Sequence, residues 1–170
     1  EKCEECRGTS AFNKSCLVSK AFKGFLELAE QQDKDNFALF CQEKAFWLDD
    51  FALFIALRNV FNQQCWNQWP EPFKERESKA LKEARHRLST AIEEIKFEQY
   101  VFFRQWMALK TYANERGVLF FGDIPIFVSY DSSDVWANRE VFKLDESGEM
   151  LVVAGVPPDY FSATGQRWGN

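Results

Sequence analysis

The chain has 170 residues, a formal net charge of -5 from 21 basic and 26 acidic side chains, and 16% aromatic residues, among them 18 Phe and 6 Trp. That length supports a sizeable core, and the rings are the natural material for it. No block of basic residues offers a nucleic-acid surface, and no run approaches the ~18 apolar residues that span a membrane, so neither nucleic acid nor a bilayer is an expected partner.

Five cysteines, Cys3, Cys6, Cys16, Cys41 and Cys65, are an odd number at spacings that fit no small secreted scaffold, which favours a reducing compartment. Cys3-Glu4-Glu5-Cys6 is a CxxC. A four-ligand zinc site needs further partners, and the chain holds one histidine, His86, and no second CxxC. Free thiols are the favoured reading, and no metal is expected. The sequence begins at Glu1 without a signal-peptide pattern and ends at Asn170 without a helix stop or polar tail. Both ends read as cut, so the chain is expected to be a piece of a longer protein.

In chain order, residues 1–18 lack clear periodicity and are expected to be loosely ordered. Residues 19–31 predict a short helix, with Phe22, Phe25, Leu26 and Ala29 at three- and four-residue spacing. Residues 36–61 are helical in pattern, with adjoining rows Trp47, Phe51, Phe54, Leu57 and Leu48, Ala52, Ile55, and with a second helix starting near Trp47. Asn62-Gln63-Gln64 breaks that pattern. Cys65-Trp66-Asn67-Gln68-Trp69-Pro70-Glu71-Pro72 excludes a helix interior through its two prolines. Trp66 and Trp69 are either sugar platforms or plugs of a turn against the core, and packing is the favoured reading.

Residues 73–88 predict a charged, solvated helix with Glu75–Lys79 and Glu83–Arg87 pairs, and His86 on its surface. Thr90-Ala91-Ile92-Glu93 has a capping-box pattern, opening a helix to Arg116 with Ile95, Phe102, Trp106, Leu109 and Ala113 on its apolar face. Gly117 stops it, and Val118–Phe121 reads as a fully buried strand. The chain thus changes character near Ser89, from helices alone to an alternating α/β pattern. Asp123 follows the strand at once. Functional carboxylates occupy that place in barrels and open sheets, and a turn or cap role is the equal alternative. Asp131–Asp134 opens a short helix carrying Val135 and Trp136. Residues 141–145 and 149–154 flank Glu146-Ser147-Gly148 as a hairpin.

Several stretches then match something specific. GDIPIFVSYDSSDVWAN, VVAGVPPDYFSATGQRWGN, WLDDFALFIALR, CWNQWP and FFRQWMALK resemble, in collinear order from Trp47 to Asn170, the 4-α-glucanotransferases. This is the amylomaltase or disproportionating-enzyme family, glycoside hydrolases on a TIM barrel. Residues 155–170 carry the most specific part of the match. The resemblance implies an α/β fold in which 90–170 is a partial (β/α)8 barrel with a substrate-cleft loop at 155–170, and 1–89 is an inserted helical subdomain. It implies transfer of α-1,4-glucan segments between maltooligosaccharides, starch or glycogen chains, with retention through a covalent glycosyl–enzyme and without a cofactor. It also implies a bacterial cytoplasm or a plastid stroma.

The family's nucleophile lies in an Arg-x-Asp-His motif that this sequence lacks, so no catalytic residue is assigned and the carboxylates are expected beyond Asn170. The residues that match are substrate-holding ones. Asp123 supports the sugar site. Asp159 accepts hydrogen bonds from sugar hydroxyls. Tyr160 and Phe161 lie against glucan and exclude water, and Trp168 lines the cleft or buttresses the loop. A non-catalytic glucan-binding module on the same fold is the alternative. A helical interaction protein with no sugar role is a more distant one.

Overall fold

The computed structural model describes residues 10–168, with side chains from Cys16 onward; the CxxC lies outside them. Helices dominate. They are α1 (Ser10–Leu28), α2 (Gln31–Glu43), α3 (Ala45–Val60), α4 (Glu71–Lys74), α5 (Ser78–Arg87), α6 (Ser89–Asn114) and α7 (Ser133–Ala137). The strands among the described residues are β1 (Gly155–Val156) and β2 (Gln166–Arg167), paired antiparallel. The chain divides into two compact units, Glu1–Ala52 with Leu88–Phe120, and Leu53–Arg87 with Phe121–Asn170. Each unit draws on residues from both sides of Ser89.

In the first unit α1 and α2 pack on α6. Phe22, Phe37, Phe97 and Tyr100 are buried together, with Phe25, Phe40, Cys41 and Val101 packed around them. Ring centroids lie 5.3 Å apart for Phe22–Phe97 and 5.4 Å for Phe37–Tyr100, the spacing of tilted and edge contacts that aromatic pairs favour. Two polar ties flank this core. Ser19 Oγ donates to Glu94 Oε1 at 2.9 Å, and Lys96 Nζ meets Asp49 Oδ1 at 2.6 Å.

The buried face of α6 therefore differs from the expected one. Phe97 and Tyr100 point inward and Ala113 is buried as expected, whereas Phe102, Trp106 and Leu109 are exposed. This helix carries rings on every side, so periodicity does not say which side α1 and α2 cover. Its first turn differs as well. Leu88 is the N-cap and makes no side-chain cap bond, so the capping box at Thr90 does not form. The far end behaves as expected, with Gly117 at φ 72 beyond the last turn.

The second unit is built on tryptophans. Trp66, Trp69 and Trp136 are buried with Leu53, Phe54, Ala56 and Leu57 of α3. Phe54 lies 5.3 Å from Trp69 and 5.8 Å from Trp136, and the two indoles are 5.5 Å apart. Each indole N–H finds a carbonyl: Trp66 Nε1 donates to Tyr130 O, Trp69 to Gln64 O and Trp136 to Phe73 O, at 2.8, 3.0 and 3.0 Å. Packing is thus the role of Trp66 and Trp69, the reading the sequence favoured. α7 forms as expected, with the Ser132 hydroxyl accepting from Val135 N.

The charged helix expected over 73–88 breaks in two. Arg76 sits at φ 54 between α4 and α5, with its guanidinium 4.1 Å over the Trp136 ring. Glu75 leaves the helix and pairs with Arg139 at 3.1 Å, and Arg139 also donates to Lys74 O. Its expected partner Lys79 is displaced by this tertiary one. The hairpin at 146–148 forms as a tight turn with one bridge, Leu144 to Met150. Asp145 Oδ1 accepts from Ser147 N, Ser147 Oγ and Glu149 N, and bonds from Ser147 and Glu149 hold its carboxyl below the usual range. Tyr130 Oη donates to Gly148 O at 2.6 Å and ties that turn down.

Val118–Phe121 is not a strand here and is not buried; Leu119 is 81% and Phe121 102% exposed. A strand exists only through a partner's ladder, and no described segment pairs with this one. The fold observed in these residues is mostly helical, and the barrel expected from the alternation is not visible in it. Cys16 is disulfide-bonded, which the expected reducing compartment does not favour, while Cys41 and Cys65 are free.

Two outcomes follow. Trp136→Ala removes a fully buried ring and leaves a cavity, so it is expected to cost about 3–5 kcal/mol in a urea titration. Burial pushes the Cys41 thiol from 9.0 up to about 11, with Lys96 pulling it partly back. Its folded pKa lies above the ordinary value, so its neutral form is the stabilised one. That contribution is complete below pH 9.0 and is lost as pH rises toward about 11. Cys41 should accordingly react with iodoacetamide at pH 8 much more slowly in the folded protein than after denaturation.

Candidate glucan site

The stretch from Gly155 to Trp168 closes on itself. Gly155 faces Arg167 and Val156 faces Gln166 in the β1–β2 pair, and Trp168 N donates to Ala154 O at 2.9 Å. Two glycines make this closure possible. A Cβ on Gly155 would stand 2.3 Å from Gln166 O. Gly165 has φ +74, and a Cβ there would stand 2.6 Å from Val156 O. Pro157-Pro158 stiffens one limb, as expected from the sequence.

At the tip, Asp159 Oδ1 accepts from Phe161 N at 2.9 Å and from Ser162 N at 2.8 Å. Ser162 Oγ donates to Gly165 O at 2.7 Å. One carboxylate oxygen of Asp159, the residue expected to accept from sugar hydroxyls, thus serves the loop's own backbone. Tyr160 and Phe161 are 96% and 89% exposed, with centroids 5.8 Å apart. Two neighbouring rings this far into solvent, at the tip of a closed loop, are a feature to explain.

Asp123 and Trp168 come together beside this loop. They line a depression of about 490 Å³ with Ile124, Pro125, Ile126 and Phe127. Phe127 lies 5.9 Å from Trp168, and the Trp168 indole N–H donates to Gln166 Oε1 at 3.0 Å. Asp159, Tyr160 and Phe161 are not in its lining; they stand at the loop tip. Phe127 was not singled out from the sequence, where it is one of several apolar residues in the run 124–128. The depression offers one carboxylate beside an indole and a phenyl ring. Those are the groups that hold a sugar, by hydrogen bonds to hydroxyls and by contact with its C–H face. Glycoside cleavage with retention needs two carboxyls about 5–5.5 Å apart, and the lining supplies one. A second groove of about 510 Å³, along α1 and α6, is lined chiefly by aliphatic and phenyl groups and lacks that combination. Among the described residues no group of three or more His, Cys, Asp or Glu could hold a metal ion.

The match of residues 8–170 to a family described as 4-alpha-glucanotransferase decides the relationship. The chain belongs to the 4-alpha-glucanotransferases. The Thermus thermophilus 4-alpha-glucanotransferase is 51% identical over 153 residues, which cover 90% of this chain and 31% of that protein. The chloroplastic/amyloplastic 4-alpha-glucanotransferase of Solanum tuberosum is 42% identical over 159 residues, 92% of this chain and 27% of that one. An amylomaltase from Streptococcus agalactiae, solved in complex with acarbose, superposes with a TM-score of 0.88 at 40% identity, over 96% of this chain and 33% of its own. The chain therefore spans about a third of the length of the 4-alpha-glucanotransferases it matches. Among the described residues no helix is long and apolar enough to cross a membrane.

The loop geometry carries a direct test. Gly165→Ala forces a Cβ into the backbone at a left-handed position, so β1 and β2 should separate. A Cβ added to Gly24, in α1, would meet nothing within 4 Å, and Gly24→Ala should be neutral or stabilising. Limited proteolysis is expected to cut the 155–168 loop of Gly165→Ala faster than that of Gly24→Ala or the parent.

Proposed function

We propose that this chain is the glucan-holding part of an enzyme that moves α-1,4-glucan segments between maltooligosaccharide, starch or glycogen chains. The meeting of Asp123 with Trp168 in one depression, at the foot of a loop that raises Tyr160 and Phe161 into solvent, carries this reading. The relatives' names and the acarbose complex of the similar amylomaltase support it. Val118–Phe121 becomes a barrel strand in the complete protein, which explains apolar residues exposed from Val118 through Val128. On this reading residues 90–170 belong to a (β/α)8 barrel and 1–89 to a helical insertion. Relatives in bacteria and in plastids point to cytoplasm or stroma.

The division of labour follows from chemistry. The covalent glycosyl–enzyme forms on carboxylates outside this chain. Asp123 accepts hydrogen bonds from the sugar beside them. Trp168 and Phe127 cover its C–H face. Tyr160 and Phe161 close over the donor, so that an incoming glucan hydroxyl rather than water reaches the intermediate.

In the full-length enzyme, Asp123→Ala removes a charged hydrogen-bond acceptor and should lower kcat/KM for maltotriose disproportionation by about 10–100-fold. Tyr160→Ala should raise glucose release by hydrolysis relative to transfer. The 170-residue chain alone should show no transfer. Transfer by that chain, or a full-length Asp123→Ala enzyme as active as its parent, would sink the proposal. Saturable maltoheptaose binding by the chain within a natural product of its own size would favour a non-catalytic glucan-binding protein instead.

A further inference from the structure

We propose that Asp159 is a positioning residue, which acts by holding the Tyr160–Phe161 pair in place through the loop backbone. This rests on the glucan reading above and deepens it. Three observations lead to it. Asp159 Oδ1 takes two consecutive backbone N–H groups, those of Phe161 and Ser162, at 2.9 and 2.8 Å. Asp159 N donates to Ser162 O at 2.9 Å, and Gly165 N donates to the same oxygen at 3.2 Å, so the turn is locked from both sides. The two rings it carries are almost wholly in solvent and touch each other at 5.8 Å.

Rings buried in a core are aimed by their neighbours. Rings in solvent are aimed by the backbone alone, because nothing around them resists rotation of the peptide units. The direction of Tyr160 and Phe161 before substrate arrives therefore depends on this turn, and the turn depends on Asp159. Bonds from N–H groups to a carboxylate are among the stronger ones available to a loop. The consequence is specific. A loop already in its closing attitude shields the intermediate as soon as a donor binds, whereas a frayed loop admits water. Asp159 should thus govern the partition between transfer and hydrolysis more than it governs turnover.

The test uses the full-length enzyme and two readouts. Asp159→Ala loses both bonds and is expected to lower the transfer-to-hydrolysis ratio on maltotriose about 10-fold, with a smaller change in total turnover. Asp159→Asn keeps an oxygen that accepts the same two N–H groups and drops the charge, so it should stay within about twofold of the parent. Ser162→Ala, which loses the tie to Gly165 O, should lie between. Amide hydrogen exchange provides the readout that needs no activity: Phe161 and Ser162 should be protected in the parent and in Asp159→Asn, and unprotected in Asp159→Ala.

A parent enzyme with no transfer at all would overturn the glucan reading, and exchange would then decide the turn by itself. An active parent whose Asp159→Ala variant keeps its ratio overturns the positioning role. Asp159→Asn as impaired as Asp159→Ala also overturns it, and assigns the carboxylate charge to the sugar directly. If Asp159→Ala does not fold, the other two variants decide: parent-like Asp159→Asn with lowered Ser162→Ala supports the role, and any other pattern overturns it.

Discussion

The second unit depends on three buried indoles whose N–H groups are all satisfied by carbonyls of distant or turning backbone. An indole buried without a partner for its N–H would carry a desolvation cost that cancels much of its packing gain. Trp66 avoids that by bonding Tyr130 O, and Trp136 by bonding Phe73 O. These bonds run in opposite directions along the sequence. One fastens the Cys65–Pro72 turn to the segment after the exposed apolar stretch, and the other fastens α7 to the short helix α4. Arg58 and Asp131, paired at 2.9 Å, reinforce the same join. The turn at Gly148 is tied to the same join, through Tyr130 and against the Trp66 ring.

This anchoring explains how the 155–168 loop, with little core of its own, is presented. The loop from Gly155 to Trp168 needs no packing from below, because its closure is internal: a two-residue ribbon at its foot, a left-handed glycine and a carboxylate that caps its tip. Such a loop projects rings into solvent without losing its shape. The buried tryptophans and the exposed Tyr160–Phe161 pair are thus opposite uses of the same residue class. What separates them is whether the backbone or the neighbouring side chains set the ring's direction.

Candidate site residues were legible where a family motif runs through contiguous positions. Asp123, Asp159, Tyr160, Phe161 and Trp168 stood out because their stretches resemble a known family, and the relatives bear that family out. Which of them share a depression was not legible, because Asp123 and Trp168 are far apart in the chain and only the fold juxtaposes them. Phe127 escaped notice for the same reason: it acquires meaning from Trp168. The engagement of Asp159 by Phe161 and Ser162 was a local feature open to sequence reasoning, since aspartate two or three residues before an exposed turn often bonds the backbone there.

The sequence by itself determined the features that rest on short-range physics: the helical character of most of the chain, the break at Asn62–Gln64, the stop at Gly117, the helix start within Asp131–Asp134, the Gly148 turn and the aromatic character of the core. Each is decided by residues within a turn or two of one another. The sequence did not give the helix bounds, since α1 already begins at Ser10, within the stretch expected to be loosely ordered, and α2 at Gln31. Only the tertiary structure decided the buried face of α6, the break at Arg76, the transfer of Glu75 from Lys79 to Arg139, and the unpaired state of Val118–Phe121. In each of these the local signal was ambiguous or satisfied equally by two arrangements. A helix with rings all round, a glutamate within reach of two cations and an apolar run without its partner strand have no preferred answer until long-range contacts supply one.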